Sequence, residues 1–263
     1  MNKVRIVGFL ASILIGLILI LPSHNSMAGE EIENTAVVEL PKIEDDFYDW
    51  FDRHSQILAL NNKTKPNIVF IGDSITHCFG GDPSPAADAE GCKTGAESWD
   101  KYFKDKVALN MGFGWDRTQN VLWRLSNGEF EGINPKIVVL LIGTNNLVGT
   151  ENARNNSPSE IAQGISKIIN VVHAKSPDSK IVLMGIFPRT PSGTFKDRIL
   201  KVNSLIAPIA DKPFVTFLNI SDQLDDAEFN LRGEYSTDGT HLNKEGYEIW
   251  AKTLFSHLNN LSN

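Results

Sequence analysis

Ser74, Asp238, His241 and Asn145 are the residue types that could together assemble a hydrolase site. A serine hydroxyl is a weak nucleophile and needs a base within hydrogen-bond reach. Histidine titrates near working pH and can take that proton. Asp238, three residues before His241 in an expected turn, could fix the imidazole tautomer and stabilise the imidazolium. The tetrahedral intermediate then needs donors for its oxyanion. Candidates are the side-chain amide of Asn145 and the main-chain N–H groups of Ser74 and Trp115, where Gly112 and Gly114 would let the backbone approach a substrate closely. Of the six histidines, only His77, three residues after Ser74, rivals His241 as the base. We favour His241 and expect His77 to line the site, with Ile75, Gly114, Thr144 and Thr240 as further candidates for the pocket wall.

Each residue alone has a plainer reading. A serine at a strand end is ordinarily a helix cap, an asparagine a turn residue, and a histidine ahead of a helix a surface residue. What carries the argument is joint placement. Five apolar, β-rich runs occupy 67–72, 107–111, 137–142, 180–185 and 214–220. Three polar, glycine-bearing segments follow the first three runs: Gly-Asp-Ser-Ile-Thr at 72–76, the stretch 110–117, and Gly-Thr-Asn-Asn at 143–146. The fourth, Asp-Gly-Thr-His at 238–241, opens a helical pattern over 243–258. Further helices are expected over 45–60, 118–125, 159–174 and 195–209 from their apolar spacing. Continuous apolar strands alternating with helices predict a parallel sheet covered on both faces, a three-layer α/β/α domain. Such sheets bind ligands beyond the carboxyl ends of their strands.

The chain has 263 residues, 41% hydrophobic and 22% charged, enough to bury a sizeable core. With 25 Lys+Arg against 32 Asp+Glu and no basic cluster, a nucleic-acid binder is disfavoured. Residues 1–28 read as a secretory signal: Lys3 and Arg5 precede an apolar run over 6–22, and Ser26-Met27-Ala28 supplies small residues before a cut. The competing reading is an uncleaved anchor, since the run is near the lower length of a bilayer span. Export agrees with Cys78 and Cys92 pairing across a Gly/Pro-rich loop that would border the pocket entrance. No zinc-ligand spacing, P-loop or complete dinucleotide fingerprint occurs, so neither a metal nor a cofactor is expected. The G-x-S-x-G elbow is also missing, which argues against the usual α/β-hydrolase layout. The expected organisation is a leader (1–28), an N-terminal extension with one packing helix (29–64) and a single catalytic domain (65–263).

Taken in order, the four blocks at 72–76, 110–117, 143–146 and 238–241 resemble those of the GDSL, or SGNH, hydrolases. Residues 121–129, Val-Leu-Trp-Arg-Leu-Ser-Asn-Gly-Glu, look like the platelet-activating-factor acetylhydrolase catalytic subunits and their bacterial relatives. The resemblance implies a flavodoxin-like SGNH hydrolase fold with a central five-stranded parallel sheet, Ser74 as nucleophile, His241 as base, Asp238 as its orienting acid, and Asn145 as an oxyanion donor. One departure is Trp115, where many members carry Gly; its indole would either shape the pocket or pack outward. Arg117 and Arg124 would bind an anionic substrate group or, as we favour, pair with acids on the surface, with Asp116 a candidate partner of Arg117. The function implied is an exported serine esterase, secreted or in the periplasm or cell envelope. It would form an acyl-enzyme from small-molecule, short-acyl esters of carbohydrates or lipids, acetyl above all. The alternatives are a lysophospholipase or thioesterase with a longer acyl preference, a non-catalytic carbohydrate-binding protein stacking sugars on Trp99, Tyr102 and Trp115, and an envelope protein held by an uncut leader. Membrane contact is expected only in that last case, and oligomeric state is left open.

Overall fold

The computed structural model describes residues 1, 33–61, 63–81 and 93–261. Its centre is built from the five apolar runs. They form β1 (Ile68–Gly72), β2 (Ala108–Gly112), β3 (Ile137–Leu141), β4 (Lys180–Met184) and β5 (Val215–Leu218). All neighbours are parallel and the spatial order is β2-β1-β3-β4-β5. Gly72 is level with Gly112 on one side and with Leu141 on the other, so three strands end together. The order reverses beside β1, and in an open parallel sheet that crevice is where ligands bind.

Alternate strand residues serve two cores, because successive side chains point to opposite faces. Val69, Ile71, Val138, Leu140, Ile181 and Leu183 belong to one. They pack on α1 (Trp50–Asn61), α4 (Thr118–Ser126), α5 (Pro158–Lys175) and α6 (Ser192–Ile206). Ile68, Phe70, Val139, Leu141, Val182 and Met184 belong to the other. That face is covered by α3 (Ala96–Tyr102) and α8 (Lys244–Leu261), with the one-turn helices α2 (Ser74–His77) and α7 (Ser221–Leu224) at its margins. The architecture is therefore the expected three-layer α/β/α sandwich.

Local chemistry explains where the elements begin. Ser157 and Glu160 form a reciprocal capping box with Pro158 in the first turn of α5. α1 starts five residues later than its apolar spacing suggests. The Asp49 carboxylate accepts the Asp52 N–H at 2.9 Å, a helix N-cap, which leaves 45–48 outside the helix. The expected helix over 195–209 begins at Ser192 and stops at Ile206, ahead of Pro208 in a 3-10 turn. α3, one side of the second core, had no sequence signal strong enough to be expected. Residues Asn34–Asn263 cluster as one compact unit. Among the described residues no helix is long and apolar enough to cross a membrane. The leader's apolar run and Cys92 lie outside the described residues.

Candidate active site

Ser74 is the first residue of α2, directly beyond β1. Asp73 caps that helix, its carboxylate accepting the Ile75 N–H at 3.0 Å. A first-turn N–H has no intrahelical acceptor, so the Ser74 N–H is left for a ligand. His241 arrives from the opposite end of the chain on a turn that Asp238 builds. The Oδ1 of Asp238 accepts the main-chain N–H groups of Thr240 and His241, both at 2.8 Å, and its Oδ2 lies 2.6 Å from His241 Nδ1. One carboxylate thus shapes the backbone and aims the ring. His241 Nε2 in turn lies 2.8 Å from Ser74 Oγ. With Nδ1–H donating to Asp238, Nε2 is free to accept the serine proton. Burial pushes the Asp238 carboxyl up, but the hydrogen bonds from the His241 ring and from the His241 and Thr240 N–H groups outweigh it and bring it down to about 2. It stays ionised at neutral pH.

Asn145 follows β3 and donates from Nδ2 to the Asp116 carbonyl at 3.0 Å, which leaves its second amide hydrogen for an oxyanion. Trp115 sits at φ 62°, in the left-handed region, and the residue is 40% exposed and lines the cleft. Beneath it the loop from Gly112 to Asp116 is held at both ends. Arg53 Nε donates to the Gly112 carbonyl at 2.8 Å. Asp116 accepts from Trp50 Nε1 and from Arg124 Nε, each at 2.8 Å. Arg124 continues to Glu129, which His54 meets at 2.9 Å. All of these side chains are buried, which is where removing one partner of an ion pair is most damaging.

The arginines therefore stand differently from the sequence expectation. Arg124 and Arg117 are both fully buried rather than on the surface. Asp116 pairs with Arg124, not with Arg117; Arg117 donates to the Val148 carbonyl at 3.0 Å and lies 3.6 Å from Glu44. Neither arginine reaches the cleft.

The cleft has a volume of about 590 Å³. It brings together Ser74, Trp115, Asn145, Asp238 and His241. Of the proposed wall residues, Thr240 lines it. Ile75 instead packs in the second core, and its carbonyl accepts the Tyr247 hydroxyl at 2.7 Å. Thr144 lies behind the wall, accepting from Arg189 through both its carbonyl and its hydroxyl. Gly114 is buried under Asp46, and its N–H donates to His77 Nδ1 at 3.2 Å. His77 is buried too. Desolvation, with Arg53 nearby, drives its pKa down to about 2, so it is a neutral acceptor under the loop rather than a base for Ser74. Cys78 lines the cleft.

Sequence reasoning missed Asp46, Phe47, Thr94, Arg189, Thr237, Leu242 and Asn243 as lining residues. Leu242 and Asn243 adjoin His241 and could have been read from that neighbourhood. Asp46 and Phe47 carry no motif and come from a segment whose spacing reads as helix. Among the described residues no cluster of His, Cys, Asp and Glu could hold a metal ion.

The arrangement matches known proteins at two levels. The model of the GDSL-like lipase/acylhydrolase family matches residues 70–249. The human platelet-activating factor acetylhydrolase IB subunit alpha1 is 30% identical over 234 residues, 88% of this chain and 92% of the human one. In fold, a GDSL-like lipase from Bacteroides thetaiotaomicron superposes with a TM-score of 0.60 at 20% identity, covering 80% of this chain and 99% of its own. An acetyl xylan esterase superposes with a TM-score of 0.55 at 17% identity, covering 72% and 98%.

Proposed function

The chain belongs to the GDSL-like lipase/acylhydrolase family and is a carboxylic ester hydrolase, and from that premise we propose an exported serine esterase acting on short-acyl, chiefly acetyl, esters of carbohydrates or lipids. The observation that carries the reading is the relay itself: Ser74 Oγ, His241 Nε2, His241 Nδ1 and Asp238 Oδ2 in sequence, at 2.8 and 2.6 Å.

Ser74 Oγ attacks the ester carbonyl carbon as His241 Nε2 takes its proton. The carbonyl oxygen becomes an oxyanion, which accepts from the Ser74 and Trp115 main-chain N–H groups and the Asn145 amide. Collapse expels the alcohol, which leaves with the proton from His241. Water then enters, gives its proton to His241, attacks the acyl-enzyme carbonyl and releases the acid, returning the proton to Ser74. The acetyl preference is supported by the acetylhydrolase name of the relative that shares 30% of its residues.

Export is supported by the composition of residues 1–28. With it goes a Cys78–Cys92 disulfide at the rim of the cleft, in a compartment where thiols oxidise. The reading is tested by the kinetics of Ser74→Ala and His241→Ala on acetyl esters. Both should lose at least about a thousandfold in kcat, as acyl-transfer triads do. Turnover that survives either change would reject the assignment.

A further inference from the structure

Asp46 is an acid in the cleft that the ester-cleaving relay does not use. It comes from the stretch ahead of α1, and its Oδ1 accepts only the N–H of the next residue, Phe47, at 2.8 Å. Its Oδ2 makes no ion pair or hydrogen bond with any described residue. The contact is nonetheless specific. A methyl group on Gly114 would lie 1.9 Å from Oδ2, so a larger residue there would push the carboxylate aside. Tyr48 fixes the same approach, donating from its hydroxyl to the Gly114 carbonyl at 3.2 Å. Burial raises the Asp46 carboxyl, and the Phe47 N–H and the charges of His241 and Lys42 offset this only in part.

The other charges nearby are already matched. Lys42 pairs with Asp45 at 2.6 Å. Arg189 donates to Thr144 and to Thr240 Oγ1, and faces Asp73 and Asp238. Asp46 is left as an open negative charge beside two exposed aromatic side chains of the cleft, Phe47 and Trp115. A carboxylate flanked by aromatic faces attracts cations and repels anions. The alcohol must depart beside His241, which protonates it, and Asp46 and His241 line the same cleft.

We propose that Asp46 selects the leaving alcohol by charge, favouring esters whose alcohol carries a cationic group and rejecting those whose alcohol is anionic. The proposal rests on the serine-esterase reading and adds the charge class of the leaving group to it. It makes no claim about the acyl group.

The test uses the full-length protein and three acetate esters of matched shape. They are 2-(trimethylammonio)ethyl acetate, its neutral isostere 3,3-dimethylbutyl acetate, and 2-sulfoethyl acetate. The expected order of kcat/KM is cation, neutral, anion, each step about tenfold at low salt and smaller at high salt. Asp46→Asn should compress the whole series to within about threefold. Asp46→Lys should reverse it. A flat or anion-favouring order in the unsubstituted protein overturns the proposal, as does an order that Asp46→Asn leaves intact. Failure to cleave any of the three while p-nitrophenyl acetate is cleaved overturns it as well. The Ser74→Ala control separates the two levels: loss of all turnover with a flat charge series rejects only the role of Asp46, whereas turnover that persists rejects the serine reading beneath it.

Discussion

Trp115 occupies a backbone conformation that disfavours it. Left-handed geometry at φ 62° costs a non-glycine residue about 1–2 kcal/mol. The main-chain N–H is available from any residue, so what the tryptophan adds is its indole at the cleft wall. Trp115→Gly should relieve the backbone and raise KM for esters of bulky alcohols several-fold more than it changes kcat on p-nitrophenyl acetate. An unchanged substrate profile would contradict a role in shaping the pocket. Asp73, next to the nucleophile, makes a prediction of a different kind. Burial pushes its carboxyl up to about 7, and the Ile75 N–H offsets this only in part. Unfolded, it would titrate near about 3.9. The folded protein therefore keeps a proton that the unfolded chain has lost. That contribution is fully present below about pH 4 and is lost as pH rises through 7, at about 1.4 kcal/mol per pH unit. Asp73→Asn should remove this slope. The Tm difference between the two proteins should move in favour of the variant between pH 5 and pH 7, and parallel Tm curves would contradict it. Ser74, Asn145, Asp238 and His241 were legible in the sequence because each sits in a short polar segment at a strand end or before a helix. Asp46 and Arg189 were not: Asp46 lies in a stretch whose apolar spacing reads as helix, and Arg189 lies between β4 and α6, outside the four blocks.

At the scale of elements, the loop after β2 is positioned from below. Its Gly112 carbonyl is tied to α1 through Arg53, and its Asp116 to α1 and α4 through Trp50 and Arg124. α1 is thus part of the support for an oxyanion donor, although it lies ahead of the first motif. Arg53→Met should lower kcat about tenfold, the cost of a misplaced donor, with KM changed less. It should also reduce stability by about 2 kcal/mol, because the buried Gly112 carbonyl loses its charged donor. Denaturant unfolding alongside steady-state kinetics checks both, and a drop in stability with unaltered kcat would show that Arg53 serves the fold alone. The periodicity of 45–60 signalled this helix but not its start, because the cap at Asp49 competes with an apolar pattern that runs on ahead of it. The four residues freed by that cap include Asp46 and Phe47, the ones that reach the cleft. Strands were legible as short apolar runs. The short α3 offered too few turns for its spacing to show.

For the whole molecule, the strand order places the site without reference to any motif. The sheet reverses beside β1, and the serine after β1 and the asparagine after β3 flank that crevice, while the last turn before α8 brings His241 across to it. Parallel alternation made the layered sandwich legible, whereas the spatial order of the strands depends on crossovers that hydrophobic patterning does not encode. The proposal of export is a statement about the whole chain. Intact-mass measurement of protein recovered from the extracellular or periplasmic fraction should show residues 1–28 removed and a mass two hydrogens short of the dithiol form. A mass beginning at Met1 would point to an uncut leader, and a free-thiol mass would exclude the Cys78–Cys92 bridge. The central claim is that Ser74, driven by His241 and Asp238, cleaves short-acyl esters. It is tested most directly by p-nitrophenyl ester hydrolysis across acyl lengths, with Ser74→Ala in parallel. The account predicts activity that is highest on acetate, falls as the acyl chain lengthens and vanishes in the variant; a maximum at long chains, or hydrolysis that does not depend on Ser74, would contradict it.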